Sequence, residues 1–213
     1  MSRPDASEPT GAVTPIVLAA GAGSRFHDRG HKLTAPLPAT TLRPAESVAS
    51  RAIAAAVAAD LDAVIVITGR LTAAQLGLDE SGAATDPTTA IHNDAWEDGQ
   101  MTSIRAGLGI AESRGSDIAV IGLADQPGIE PAAWRAVAAA VSTASPIAVA
   151  VYDGERGNPV ALHRSIWGLL PREGDVGARS LMRLRPDLVV EVPCSGSPTD
   201  IDTTEDLRRW QNN

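Results

Sequence analysis

The stretch PIVLAAGAGSR, running from Pro15 to Arg25, decides how the rest of the chain is read. Pro15–Ala20 is a short, continuous apolar run that opens directly into Gly21-Ala22-Gly23-Ser24. An uninterrupted apolar run bounded by glycine predicts a strand buried on both faces, followed by a tight turn. Two glycines in that turn let the backbone come close to a ligand and aim N–H groups at it.

The same pattern recurs outward from this point. Ala63–Thr68 (AVIVIT) and Ile118–Leu123 (IAVIGL) are β-branched, apolar and of strand length. Pro44–Asp60 is Ala-rich with Val48, Ile53 and Val57 as apolar anchors, and Met101–Ser113 places Ile104, Leu108 and Ala111 at helical spacing. Further on, Thr72–Leu76 predicts a short helix, Thr89–His92 a short strand, Pro131–Thr143 a helix, and Ile147–Tyr152 and Pro159–Leu162 strands. Ser165–Leu170 predicts a short helix, Val176–Leu184 a helix after the Gly174-Asp175 turn, and Leu188–Val192 a last strand. Thr203-Thr204-Glu205-Asp206 has capping-box spacing, with Thr203 as N-cap of a closing helix through Trp210. Strands alternating with helices predict a Rossmann-like, three-layer α/β/α fold around a mostly parallel sheet. Right-handed crossovers then bring the strand C-termini to one edge, where ligands bind.

Residues 1–14 mix Pro, Ser, Thr, Asp and Glu without an apolar centre; they read as a disordered leader rather than a signal peptide, and residues 15–213 as a single domain. The longest apolar run, Ala52–Ala59, is far too short to span a bilayer, so no membrane association and a cytoplasmic compartment are expected. A net charge of −8 argues against nucleic acid as a partner. The single cysteine, Cys194, excludes an internal disulfide and a thiolate metal cage, and reads as a lone thiol near a strand end.

Of the 18 basic residues only Lys32 is lysine. Chance explains that, or else the chain keeps one compact ammonium where a point charge must meet phosphate oxygens and a guanidinium replaces it poorly. The glycine turn with Arg25 and Lys32 supplies what a triphosphate needs: backbone donors, a planar fork and a point charge. It is neither of two better-known phosphate loops. The dinucleotide fingerprint would need glycine where Phe26 stands, and the P-loop would need Gly-Lys-Ser/Thr where the chain has Gly30-His31-Lys32-Leu33.

Asp125, in Leu123-Ala124-Asp125-Gln126-Pro127, follows a buried strand. A carboxylate there suits Mg²⁺ shared with substrate phosphates; a turn or cap Asp before Pro is the competing use. Asp200 and Asp202 alternate along an extended segment, so either one supplies a second metal carboxylate or Asp202 merely leads into the cap. His27, His31, His92 and His163 lack metal-ligand spacing and read as surface or hydrogen-bonded residues. Trp96, Trp134, Trp167 and Trp210 read as packing residues. Ser24 has no matched His and Asp, so a serine-hydrolase reading has little support.

Six motifs then occur in order: Leu18–Arg25 with Lys32; Asn93-Asp94-Ala95-Trp96 through Gly99 and Ser103–Leu108; Leu123–Pro127; Gly157-Asn158-Pro159-Val160; Gly174–Arg179; and Asp200–Leu207. Together they resemble the molybdenum-cofactor nucleotidyltransferases, MobA-like NTP transferases of the nucleotide-diphospho-sugar transferase fold type, most closely the cytidylyltransferase branch. The resemblance implies transfer of NMP from an NTP, CTP favoured, to a small phosphorylated acceptor such as molybdopterin, with release of pyrophosphate. It implies nucleotide contacts from Leu18, Ala19, Ala20, Gly21, Ala22, Gly23 and Ser24, with Arg25 and Lys32 on the triphosphate. It implies Mg²⁺ on Asp125 and Asp202, less so on Asp200. Gly99 and Ser103, at a helix N-terminus, with Asn158 and Arg179, are the implied acceptor residues. A molybdoenzyme or its chaperone is an implied protein partner.

The chain departs from the family pattern at three points. Six residues separate Arg25 from Lys32, two more than usual; Phe26 replaces Met; and Asn158 stands where His is common. Two other readings remain: a redox enzyme using a nucleotide cofactor on the same fold, and a nucleotide-binding module without turnover.

Overall fold

The computed structural model describes residues 11–26, 30–38, 46–78, 87–175 and 178–211. The expectations for residues 1–10, 44–45 and 176–177, and for His27, fall outside the described residues. One seven-stranded sheet runs in the order β5-β4-β1-β6-β8-β7-β9. Its strands are β1 (Val13–Ala19), β4 (Val64–Thr68), β5 (Thr88–His92), β6 (Ile118–Leu123), β7 (Ile147–Tyr152), β8 (Glu155–His163) and β9 (Val189–Pro193). A two-stranded ribbon, β2 (Pro36–Leu37) with β3 (Glu46–Ser47), stands apart. The α-helices are α1 (Val48–Val57), α2 (Gln100–Ser113), α3 (Pro131–Ala140), α4 (Arg179–Leu184) and α5 (Thr204–Gln211).

Alternation along each strand builds two apolar layers. Val17 and Ala19 of β1, Val64 and Val66 of β4, and Ile118 and Val120 of β6 face α1 and α3, where Ile53, Ala56, Trp134 and Val137 meet them. Ile16 and Leu18, Ile65 and Ile67, and Ala119 and Ile121 face α2 and α4, against Met101, Ile104, Leu108 and Met182. Every residue of β1 is buried, as a strand covered on both faces requires. The strand starts at Val13, inside the stretch read as leader, and Thr14 shares a buried 2.6 Å hydroxyl contact with Ser116. Pro15 stands ahead of the β4 ladder, which opens at Ile16↔Ile65.

The sheet is mostly parallel, as expected, with one strand reversed. β8 runs antiparallel to both β6 and β7. Asp153 and Gly154, both with positive φ, close a tight hairpin between β7 and β8. The start of β8, not its end, therefore reaches the edge where β1 and β6 finish. The β7–β8 register slips between Val149 and Ala150, leaving Asn158 and Pro159 out of the ladder, and a bulge is where a sheet tolerates proline.

The closing helix is capped as expected. Thr203 Oγ1 accepts from the Asp206 N–H at 3.1 Å, and an Asp206 carboxylate oxygen accepts from the Thr203 N–H at 2.9 Å. Behind it a third apolar cluster gathers Phe26, Ala35, Leu37, Val48, Ile201 and Leu207, with Trp210 packed alongside. Trp210 lies over the buried Arg51 guanidinium, 5.1 Å from its centre. Trp134 and Trp167 are buried, while Trp96 is half-buried. Cys194, half-buried just after β9, gives its thiol to the Val192 carbonyl at 3.3 Å.

Candidate active site

β1 ends at Ala19 and β6 at Leu123, side by side in the sheet, so the segments that follow them meet at one edge. Ala124 N–H donates to the Leu18 carbonyl at 3.0 Å and locks the two exits together. Asp125 is thereby set opposite the glycine turn. The third approach comes from the C-terminal segment, where the Ile201 N–H donates to the Asp125 carbonyl at 2.9 Å and places Asp202 alongside.

Lys32 joins the two carboxylates. Its ammonium is 2.6 Å from Oδ2 of Asp125 and 2.6 Å from Oδ1 of Asp202. Arg25 reaches the other oxygen of Asp202 at 2.8 Å. Burial alone would lower the Lys32 ammonium, but the Asp125 and Asp202 carboxylates against it hold it above its ordinary value. Asp200, left outside these ion pairs, is pushed above the usual carboxylate value by desolvation and then by the Asp125 charge. Residues 18–25, Ala20 excepted, line a cavity of about 250 Å³ together with Lys32, Leu33, Asp125 and Asp202.

A cation fits this donor set. Oδ1 of Asp125 is buried without a hydrogen-bond partner. Among the described residues no group of three or more His, Cys, Asp or Glu side chains is placed to hold a metal, so two carboxylates are what the chain supplies. Mg²⁺ takes one or two protein carboxylates and completes its shell from phosphates and water.

His31, expected at the surface or in a hydrogen bond, is hydrogen-bonded, and its two bonds organise the loop. Its Nδ1 accepts from the Leu33 N–H at 3.2 Å, which leaves Nε2 to donate to the Gly21 carbonyl at 3.1 Å. Burial lowers its pKa, in keeping with that neutral tautomer. The imidazole ties the glycine turn to the short 3₁₀ turn Lys32–Thr34 that carries the ammonium. It also explains Gly23, whose φ of +64° is left-handed and where a Cβ would stand 2.6 Å from His31 Nε2.

The expected acceptor residues divide between two further cavities. Gly99 and Ser103 line one of about 320 Å³ with Ala20, Trp96 and Asp125. The α2 N-terminus there does not offer its first amides to an anion. Gln100 N–H donates to Oδ1 of Asp175 at 3.0 Å and Met101 N–H to the Gly174 carbonyl at 2.9 Å. Ser103 is buried and accepts from Asn93 Nδ2 at 3.0 Å, a contact that fastens α2 to the end of β5. Asn158 and Arg179 line the other cavity, about 400 Å³, over a floor that includes Leu18, Ile121 and Val160. Asn158 also donates to Gln126 Oε1 at 3.1 Å, and buried Gln126 donates to the Pro198 carbonyl at 2.9 Å. That chain of amides couples the loop after Asp125 to the β8 bulge. Arg156 and Arg183 stand on the same rim and were not singled out from the sequence. The signal for Arg183 was its i, i+4 spacing from Arg179; the signal for Arg156 was the Asp153-Gly154 hairpin that turns β8 around. Leu18 lines all three cavities, which form one cleft along the sheet edge.

A mostly parallel sheet with a basic glycine turn facing two carboxylates at its edge is the architecture of a Rossmann-like nucleotidyltransferase. The chain belongs to the MobA-like NTP transferase domain family, whose model matches residues 15–190. It is 30% identical to "Nicotine blue oxidoreductase" of Paenarthrobacter nicotinovorans, covering 92% of this chain and 95% of that one. It is also 30% identical to "Purine catabolism protein PucB" of Bacillus subtilis, covering 90% and 92%. Among solved structures, Rv0371c of Mycobacterium tuberculosis superposes with a TM-score of 0.74 at 27% identity, covering 95% of this chain and 98% of that one. The same protein is known in complex with manganese, with a TM-score of 0.68. Among the described residues no helix is long and apolar enough to cross a membrane.

Proposed function

We propose that this protein transfers a nucleotidyl group from an NTP, CTP in the first instance, to a phosphorylated acceptor such as molybdopterin, releasing pyrophosphate. The observation that carries this reading is the Lys32 ammonium held at 2.6 Å between Asp125 and Asp202 beside the glycine turn. Residues 93 and 170 positions from Lys32 converge there. One cation, two carboxylates and a glycine turn together suit a polyphosphate brought in with a divalent cation.

In this reading the glycine turn seats the nucleotide, and Arg25 and Lys32 grip the phosphates. Arg179 and Asn158 hold the acceptor so that a phosphate oxygen faces the α-phosphorus in line. An acceptor phosphate is already ionised near neutral pH, so no general base is needed; alignment and charge neutralisation are the main tasks. Asp125 and Asp202 would hold Mg²⁺, which when bound neutralises polyphosphate charge. The supplied nucleotide leaves pyrophosphate on the Arg25–Lys32 side of the cleft.

The name of the Paenarthrobacter relative favours a second reading, hydride transfer from a nucleotide cofactor. Against it, Phe26 fills the third glycine position of the dinucleotide turn and is buried in the third apolar cluster. One experiment separates the two: pyrophosphate release from CTP and from GTP with reduced molybdopterin and Mg²⁺, run beside NADPH oxidation with a dye acceptor. Metal-dependent pyrophosphate release with no NADPH oxidation supports nucleotidyl transfer. The reverse pattern replaces it with the redox reading.

A further inference from the structure

The Lys32 ammonium occupies a cation's position. Its side chain is only 11% exposed, and it bridges one oxygen of Asp125 and one of Asp202. Arg25 takes the remaining oxygen of Asp202. One ammonium and one guanidinium thus balance two carboxylates, and Oδ1 of Asp125 alone is left without a partner. These four groups balance one another without a ligand.

We infer that Lys32 is an internal placeholder: it closes the Asp125–Asp202 pair to a bare divalent cation and yields only when a polyphosphate draws its ammonium away. The cleft therefore takes metal and nucleotide together. This deepens, and rests on, the nucleotidyl-transfer reading.

Charge balance in a half-buried site sets this order. A divalent cation arriving alone must evict the ammonium, leaving it desolvated and unpaired, which is costly. It also turns a neutral cluster strongly positive. A cation arriving with a triphosphate brings the anionic oxygens to which Lys32 and Arg25 can turn, so every charge stays paired. Both side chains can make that move. Lys32 ends a flexible four-carbon stem and already lines the cavity with the glycine turn. The Arg25 side chain is 73% exposed. This also accounts for the one lysine in a chain whose other basic residues are all arginine. A compact ammonium can sit between two carboxylates and swing, whereas a planar fork locks onto one carboxylate bidentately.

The test is Mn²⁺ binding to the full chain, read from the electron paramagnetic resonance signal of free Mn²⁺, with no nucleotide present. Lys32→Met should bind Mn²⁺ at least about tenfold more tightly than wild type, the size of an ordinary coupling between sites. Arg25→Gln, at an exposed position where folding is not at stake, should tighten binding by roughly threefold. Adding a non-hydrolysable CTP analogue should raise wild-type Mn²⁺ affinity about tenfold and raise that of Lys32→Met much less. Equal or weaker Mn²⁺ binding by a Lys32→Met protein with a wild-type melting curve overturns the inference. If that variant melts early, unchanged Mn²⁺ affinity in Arg25→Gln overturns it instead. Turnover without this linkage removes the placeholder and leaves nucleotidyl transfer standing. Linkage without pyrophosphate release from any NTP removes nucleotidyl transfer and leaves the metal-site behaviour measured.

Discussion

The two ends of the cleft are built on opposite plans. At the Lys32 end the two cations are already engaged: Lys32 with Asp125 and Asp202, Arg25 with Asp202. At the Arg179 end, guanidiniums rim an apolar floor; Arg156 is paired with Glu191, while Arg179 and Arg183 have no ion-pair partner among the described residues. Like charges four residues apart on a helix repel. Arg179 and Arg183 of α4 are so placed, and an anion between them would relieve that repulsion. The difference teaches how each end selects. On the proposed reading the first would recognise a polyphosphate by exchanging internal partners for external ones, and the second would offer Arg179 and Arg183 to an anion on a body that tolerates an apolar surface.

Substitutions can break this contrast, in order of size. Asp125→Ala should lower pyrophosphate release by about 10²–10³-fold or more in a metal-replete assay, with circular dichroism unchanged. Near-normal turnover would remove Asp125 from the reaction. Arg179→Ala should act on the other end alone, raising KM for the acceptor about tenfold, the scale of one charge-assisted hydrogen bond, with KM for the NTP unchanged. A matching rise in KM for the NTP would mean that the two ends are not separate. Ser103→Ala should give the smallest effect and a different kind of effect. It deletes the buried acceptor of Asn93, so a denaturant melt should show a loss of about 1 kcal/mol while kcat holds. A fall in kcat without a loss of stability would return Ser103 to the acceptor.

The same contrast governs what could be read in advance. The β1–glycine-turn–Lys32 end was legible because its residues follow one local rule, an apolar run into Gly21-Ala22-Gly23-Ser24, and because parallel strands put their exits on one edge. Asp125 was legible by that edge rule, and Asp202 by its alternation with Asp200, the choice between the two coming from the resemblance. The Arg179 end was only half legible. Asn158 and Arg179 came from motif resemblance, but Arg156 depends on β8 running backwards, a non-local choice that the Asp153-Gly154 hairpin signals and that a mostly parallel sheet does not by itself assign to β8. Gly99 and Ser103 show the limit of helix-terminus reasoning. Sequence places them at the start of α2 but says nothing of Asp175, some seventy-five residues on, whose carboxylate takes the first amide. His31 was underread for the same reason, since its partner Gly21 lies across a turn whose shape a sequence pattern does not specify.

The placement of Asp202 depends on packing outside the sheet. The sheet is complete once β9 is laid down at Val189–Pro193, yet the second carboxylate enters only when Ile201 docks among Phe26, Leu37 and Leu207. The third apolar cluster, and not the sheet, thus sets where the second carboxylate stands. Loosening Leu207 or Trp210 from that cluster would free Asp202 from Lys32 and leave the seven strands paired.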